Sequence, residues 1–262
     1  VLHYNFSYIK YMIPNKFHFI FGLEEDFGGK PFGLLHYIAI KSAHDLNDPE
    51  EMNFYYKFEP TGEYWEKAKQ YLTLVKVEPP EEVFGNKLVH MAHKADIIRL
   101  QALYEQGGIY MDIDTICVKP FTDLLTHQSV MGIQGHTENP NIPYGLCNAI
   151  ILAEPGNEFI GYWFSKYESF NHELWDTHSV QLPWKLYTEL ELPVTALDYD
   201  RFHYPLHTKR GIKDMFVKTK RYPNAYAHHL WESNAWKYFS SLTEKKIKEQ
   251  DTTYNILARK FL

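Results

Sequence analysis

Val89 to Pro120 reads VHMAHKADIIRLQALYEQGGIYMDIDTICVKP, and the rest of the chain is organised around it. From Leu88 to Gln106 there is no Pro or Gly, and Ala, Leu, Met, Gln and Glu are common, which predicts a helix. At about 100° per residue, Leu88, Met91, Ala92, Ala95, Ala102 and Leu103 fall on one stripe. His90, His93, Lys94, Gln101 and Glu105 fall opposite. Arg99 lands near the middle of the apolar stripe, with Asp96 one turn back on its edge. Burying an unpaired guanidinium costs several kcal/mol, so Arg99 needs an anionic partner. Two arrangements meet that need. Asp96 and Arg99 pair inside the core, or both project into a cleft and meet a polar ligand.

Gly107 and Gly108 end the helix, because a glycine just past the last turn can take φ > 0 and close it. Ile109-Tyr110-Met111 is short and apolar, as a central strand is. It runs directly into Asp112-Ile113-Asp114. In an extended chain residues i and i+2 point the same way. Two carboxylates side by side repel unless a proton or a cation sits between them. At the C-terminal end of a strand, where open α/β sheets bind ligands, a hard divalent cation is the natural counter-ion. Oxygen ligands suit Mg²⁺ or Mn²⁺.

These residues carry a resemblance. Ala95-Asp96-Ile97-Ile98-Arg99-Leu100, then Leu103, then Gly107 to Asp114, closely resemble the DXD-containing sugar-binding region of glycosyltransferase family 32. The likeness extends more distantly to the large clostridial toxin glucosyltransferases. It covers about thirty contiguous residues, with weaker echoes towards both ends of the chain. The resemblance implies a GT-A-type fold, a Rossmann-like, mostly parallel sheet flanked by helices, with a C-terminal helical and loop elaboration. It implies that Asp96 and Arg99 contact the donor sugar. Asp112 would bind ribose or sugar hydroxyls and approach the metal, and Asp114 would ligate the metal directly.

Outward from this stretch, Lys16 to Phe21 reads as a first strand, preceded by Ile13-Pro14. In the family an Ile-Pro precedes a strand ending in a Trp that stacks on the nucleotide base. Phe21 stands at that place, a departure that still offers a stacking ring. Phe27-Gly28-Gly29-Lys30-Pro31 is a loop without Walker spacing. Phe32 to Leu46 reads as a helix, Asn53 to Phe58 as a strand, Glu63 to Tyr71 as a helix and Leu72 to Val77 as a strand. This alternation predicts parallel strands with helices on the sheet faces. One domain is expected, with 1–115 as its nucleotide-sugar half and 116–262 as its acceptor half and closing segment.

After the aspartates, Lys119-Pro120-Phe121 starts a turn and a short helix to Leu125. Val130 to Gln134 and Asn148 to Leu152 read as strands. Gly135 to Gly145 reads as a loop and a wall for the acceptor. An Asn at the place of Asn148 lines the sugar pocket in the family; the alternative is a turn-capping Asn. Glu158 to Phe170 reads as a helix, and Trp175 to Glu189 as a helix broken at Pro183. Lys209 to Arg221 is a basic run, either a solvated face or a segment that touches diphosphate. Ala225 to Ser233 contains His228-His229-Leu230-Trp231. Relatives carry a C-terminal His, then an aromatic, then Ser-Trp, which implies His229 as a metal ligand with His228 as its alternative. The same pattern points to Ser233 and Trp236 as donor-binding residues, though they are spaced more widely here. Ser240 to Leu262 reads as a closing helix with a solvated face.

The bulk properties bound the function. The chain has 262 residues, 45% hydrophobic and 23% charged, which suits one globular α/β domain. A net charge of −6 argues against a nucleic-acid partner and gives a phosphate-bearing ligand need of a metal. Cys117 and Cys147 make no disulfide framework and no metal quartet, so a reducing compartment is expected. That favours the cytoplasm over a lumenal domain with its anchor removed. No apolar run approaches the ~20 residues that span a bilayer, and Val1 to Tyr11 lacks the pattern of a signal peptide. Asn5-Phe6-Ser7 matches a glycosylation sequon.

The expected function is therefore a metal-dependent glycosyltransferase using Mn²⁺ or Mg²⁺. It would move a sugar from a UDP- or GDP-sugar to a glycan, lipid or protein acceptor, and the resemblance implies retention of anomeric configuration. No catalytic nucleophile or base is legible. Two alternatives stand beside it. Asp112-Ile113-Asp114 also resembles the first motif of haloacid dehalogenase-like phosphatases, with Asp198-Tyr199-Asp200 as the later acidic pair. The third is a non-catalytic sugar- or nucleotide-binding module.

Overall fold

The structure is a computed structural model that describes residues 13–262. The Val1 to Tyr11 segment and the Asn5-Phe6-Ser7 sequon lie outside the described residues. The first half alternates strand and helix as expected. It runs β1 (Lys16–Ile20), α1 (Leu34–Asn47), β2 (Glu51–Tyr56), α2 (Glu63–Lys69) and β3 (Thr73–Lys76). A small hairpin, β4 (Glu82–Val83) and β5 (Asn86–Lys87), leads into α3 (Met91–Gln106) and β6 (Gly108–Met111). Beyond the aspartates come β7 (Thr115–Cys117), β8 (Ser129–Gly135), β9 (Pro143–Ala153) and α4 (Glu158–Ser165). Next are α5 (Leu182–Glu189), β10 (Thr195–Leu197), α6 (Lys209–Phe216) and β11 (Ala227–His229). The chain closes with α7 (Glu232–Phe239), α8 (Glu244–Glu249) and α9 (Thr253–Ala258).

Seven strands form the central sheet in the order β10-β8-β9-β6-β1-β2-β3. β1 pairs in parallel with both β2 and β6, β2 with β3, and β8 with β10. Only β9 runs against its neighbours, β6 and β8. The sheet is mostly parallel, as expected. Strand residues alternate between two cores, as the period of two demands. Phe17, Phe19, Ile109, Met111, Ile150 and Leu152 face one core, with α1, α2 and the C-terminal helices. Ile20, Tyr110 and Ile151 face the other, where α3, α4 and α5 pack. Tyr110 thereby meets α3, the helix that carries Arg99.

Gly107 and Gly108 make the sharp reversal from α3 into β6, at φ +63° and +107°. A Cβ at Gly108 would lie 2.4 Å from the Lys16 carbonyl oxygen of β1, so only glycine lets β6 dock there. His18 secures the same corner. Its Nε2–H donates to the Gly107 carbonyl at 2.8 Å, and Tyr55 Oη–H donates to its Nδ1 at 3.1 Å.

Several local expectations are corrected. His93 and Lys94, expected on the solvent side of α3, are buried, while Ala92 is exposed. His93 Nε2 bonds to the Trp175 carbonyl, and Lys94 reaches Glu81, so packing from a distant segment overrides the periodicity. Gly135 to Gly145 is a loop over 136–142, as expected, and its ends belong to β8 and β9. Trp175 to Glu189 divides beside Pro183, into a π-helical turn, Thr177–Gln181, and α5, in whose first turn Pro183 sits. Glu158 to Phe170 divides into α4 and a tight turn. The closing segment is two short helices and a last tight turn, with Ile247 and Tyr254 buried.

Candidate active site

Beyond the C-terminal end of β6, beside the N-terminal half of β9, a cleft of about 490 Å³ opens. It is lined by Asp96 and Arg99 of α3, Asp112 after β6, Cys147 and Asn148 of β9, and His229, Trp231 and Ser233 of the C-terminal segment. Both readings of Arg99 meet here. Arg99 and Asp96 are 6% and 4% exposed, and they pair at 3.3 Å, yet both border the cleft. Arg99 Nη1 donates to the Asn148 carbonyl at 2.8 Å and lies 3.4 Å from Asp112 Oδ1. Asn148 Nδ2 donates to Asp96 Oδ1 at 2.8 Å, so Asn148 buttresses both partners of the pair rather than capping a turn. The guanidinium lies 4.4 Å from the centroid of the Tyr110 ring. Tyr110 in turn donates its Oη–H to Asp112 Oδ1 at 2.5 Å.

Asp112 directly follows β6, its N–H donating to the Ala149 carbonyl at 2.8 Å, and Asp114 lies in the turn between β6 and β7, closed by Thr115 Oγ1–H donating to the Asp112 carbonyl at 2.8 Å. The turn keeps the two carboxylates close without the strand alternation expected of them. β7 then pairs antiparallel with β11, placing His229 opposite Thr115 and His228 opposite Ile116. That register brings one of the two histidines to the aspartates and not the other. His229 Nε2 lies 3.4 Å from Asp114 Oδ1 and 4.0 Å from Asp112 Oδ2. His228 points elsewhere, its Nδ1–H donating to the Tyr204 carbonyl at 2.8 Å.

The electrostatics follow from burial and neighbours. Burial raises Asp112, and the adjacent Asp114 adds to the rise against the pull of Arg99. Burial also pushes on Asp114, but His229 and the Glu232 N–H hold it down at about 2. Burial carries Asp96 up to about 7 despite Arg99. His229 is desolvated, yet Asp114 holds its pKa well above the usual range. An imidazolium wedged against two carboxylates is a place where one cation can replace another. Oxygen and nitrogen donors of Asp112, Asp114 and His229 all lie within 4.8 Å of one another. Two carboxylates and an imidazole are a donor set that suits a divalent cation, and the residues fit such an ion.

The C-terminal segment is locked onto this site. Glu232 N–H, at the start of α7, donates to Asp114 Oδ2 at 2.7 Å. Trp231 holds a left-handed backbone at φ +57°, a conformation costing an L-residue about 1–2 kcal/mol. Its ring lies 3.9 Å from that of His229, and its Nε1–H donates to the Pro205 carbonyl at 2.9 Å. Lys30 Nζ donates to Ser233 Oγ at 2.8 Å, tying the glycine-containing loop to α7. Ser233 lines the cleft; Trp236, one turn further on, does not, and lies 6.0 Å from Lys30.

A second cavity of about 280 Å³ adjoins the first at Ala92 and is lined by Phe21, Phe27, Met91, Ala95 and Glu232. Phe21 stacks on Phe27 with centroids 5.5 Å apart, so one ring face is already covered. The sequence assigned no role at the site to Tyr110, Trp231 or Lys30. Only Tyr110 left a signal there, standing two residues before Asp112 on the same side of the strand. The acidic pair required by the phosphatase alternative is not assembled. Neither Asp198 nor Asp200 lines the cleft, and Asp200 accepts from Asn224 Nδ2 at 2.7 Å on the exposed side.

Comparison with known proteins agrees with this geometry. A family model described as "Glycosyltransferase sugar-binding region containing DXD motif" matches residues 25–131. Glucan organizing enzyme 1 of Cryptococcus neoformans is 35% identical over 260 residues, covering 96% of this chain and 71% of the relative. Subversion of eukaryotic traffic protein A of Legionella pneumophila is 36% identical over 66 residues, which cover 25% of this chain and 10% of that protein. Mouse xyloside xylosyltransferase 1 superposes with a TM-score of 0.49 at 12% identity, over 82% of this chain and 96% of that one. That likeness is too loose to add to what the sheet order already says. The match to the DXD region, and the near full-length similarity to the cryptococcal enzyme, place this chain in the family of glycosyltransferases with a DXD-containing sugar-binding region.

Proposed function

We propose that this chain transfers a sugar from a nucleotide-diphosphate sugar to an acceptor hydroxyl, with retention of anomeric configuration, assisted by Mn²⁺ or Mg²⁺ at Asp112, Asp114 and His229. The observation that carries the reading is the convergence of these three side chains beside the buried Asp96–Arg99–Asn148 cluster in one cleft. A divalent cation bound there would offset the negative charge that grows on the β-phosphate as the anomeric C–O bond breaks. Asp96, Arg99 and Asn148 hold the sugar hydroxyls and fix its orientation, as a rigid polar floor does for a reacting centre. Asp112, steadied by Tyr110, reaches ribose or sugar hydroxyls. The base lies in the adjoining cavity against Phe21, whose opposite face is braced by Phe27. Ser233 borders the diphosphate region, and Trp236 supports it from the next turn of α7.

In this reading residues up to 115 supply most of the donor contacts, and 116–262 supply the acceptor side and the closing segment, from which Asn148, His229 and Ser233 reach back to the donor. The cleft continues past His207 to a pocket lined by Gln134, His136, Thr137 and Tyr144. This is where the acceptor enters. The cryptococcal relative's name ties that protein to glucan, which favours an oligosaccharide acceptor here too. A thermal-shift screen of UDP- and GDP-sugars with Mn²⁺ tests the donor half. A binder at 100 times its Kd raises stability by about 2.7 kcal/mol. Release of nucleoside diphosphate from the stabilising donor then tests turnover. Stabilisation without any hydrolysis or transfer would favour a non-catalytic binding module. No response to any nucleotide sugar would overturn the reading.

A further inference from the structure

We propose that Cys147, His203 and His229 form a second metal site, selective for a thiophilic divalent ion of the Zn²⁺ class and antagonistic to the acidic site. One donor atom from each residue lies within 4.8 Å of the other two. All three side chains are buried or nearly so, and Cys147 is a free thiol. A tetrahedral zinc site with one sulfur and two nitrogens places such atoms about 3.5 Å apart, so a small inward movement completes it.

His203 is the independent pointer. It is 0% exposed, yet neither of its ring nitrogens has a hydrogen-bond partner among the described residues. A buried imidazole with two unpaired nitrogens is costly, and such groups normally find a partner. Its ring is held edge-on to that of His229 at a centroid separation of 6.2 Å. It also packs against Gly132, where any Cβ would come within 2.8 Å of Nε2. The ring is therefore kept in place by packing, with the Cys147 thiol beside it. His229 Nδ1 is likewise buried and unpartnered. Cys147 and His229 border the cleft, so water or a ligand can supply the fourth position from there.

Softness separates the two sites. Carboxylates favour Mn²⁺ or Mg²⁺, whereas a thiolate with two imidazoles favours Zn²⁺. The sites share His229. A neutral imidazole offers one lone pair, and ligating two ions at once requires the imidazolate. Occupation of the thiol site thus withdraws His229 from Asp112 and Asp114. The consequence is inhibition by Zn²⁺ through Cys147, without competition for the acidic pair itself.

Co²⁺ is the probe, added to the reduced protein while thiolate-to-cobalt charge-transfer absorption is followed. One equivalent should develop that band in the wild type and in Asp114→Asn. Outer-shell changes alone move metal affinity roughly 10–100-fold, so loss of a direct ligand in Cys147→Ser or His203→Gln should weaken binding by about 100-fold or more. Zn²⁺ should bleach the band. Circular dichroism establishes that each variant is folded, and Cys147→Ala serves as a second variant at the thiol. A folded wild type with no charge-transfer band, or a band that survives Cys147→Ser, overturns the proposal. This readout needs no nucleotide sugar, so it fails or succeeds independently of the transferase reading.

Discussion

At the scale of single residues, Arg99 decides the character of the site. It sits between Asp96 and Asp112, over Tyr110, and reaches the Asn148 carbonyl. Removing it leaves two largely buried carboxylates without their cation. Arg99→Ala should therefore lose roughly 3–5 kcal/mol of stability, read from urea denaturation. A loss below about 1 kcal/mol would mean that Asp96 and Asp112 simply take up protons or water, and that the guanidinium is not their organiser. The need for an anionic partner was legible from the sequence, because an arginine on an apolar stripe cannot be left unpaired. The identity of the partners was legible only in part. Asp96 lies one turn away on the same helix, whereas Asp112 and Asn148 arrive through strand pairings that no local pattern encodes. The choice of His229 over His228 was likewise hidden, since it rests on the register of two three-residue strands more than a hundred residues apart.

At the scale of elements, the reversal from α3 to β6 sets the aim of the acidic turn. Gly108 has φ +107°, and an added Cβ would meet the Lys16 carbonyl at 2.4 Å and His18 Nε2 at 3.0 Å. Gly108→Ala should cost about 3 kcal/mol or more, through strain and a forced shift of β6 from β1. Gly33→Ala is the contrasting case. Its nearest atom, the Pro31 carbonyl oxygen, is 3.8 Å away and its φ is −140°, so less than about 1 kcal/mol should be lost. Equal midpoints for the two variants in chemical denaturation would contradict this account of the corner. The extents of α1 and α3, and of the apolar strands β1, β2 and β6, were readable because their own residues carry the helix or strand preference, although the faces of α3 were not. β7, β10 and β11 were not. Each is three residues long and exists because a distant partner supplies its ladder.

At the scale of the whole molecule, buried histidines couple the fold to pH. Burial lowers both His18 and His228 to about 4, against an ordinary 6.5. A depressed folded pKa means that the unfolded chain takes the proton first. Stability is thus full above 6.5 and is lost as pH falls towards 4. Asp96, held up at about 7, acts in the opposite sense over the same window, so the profile of the wild type mixes the two. The difference between wild type and His18→Gln isolates the histidine. Between pH 7.5 and pH 5 the variant should lose roughly 2 kcal/mol less than the wild type. Parallel profiles would show that His18 is protonated without penalty. Among the described residues no helix is long and apolar enough to cross a membrane.

The whole reading turns on a cation at Asp112, Asp114 and His229, and donor turnover under metal control tests it most directly. Once the stabilising nucleotide sugar is known, release of its nucleoside diphosphate is measured in EDTA, after Mn²⁺ is restored, and in Asp114→Asn. The account predicts loss of about 100-fold or more in EDTA, recovery with Mn²⁺, and no recovery in the variant. Undiminished turnover in EDTA, or in Asp114→Asn, would contradict it.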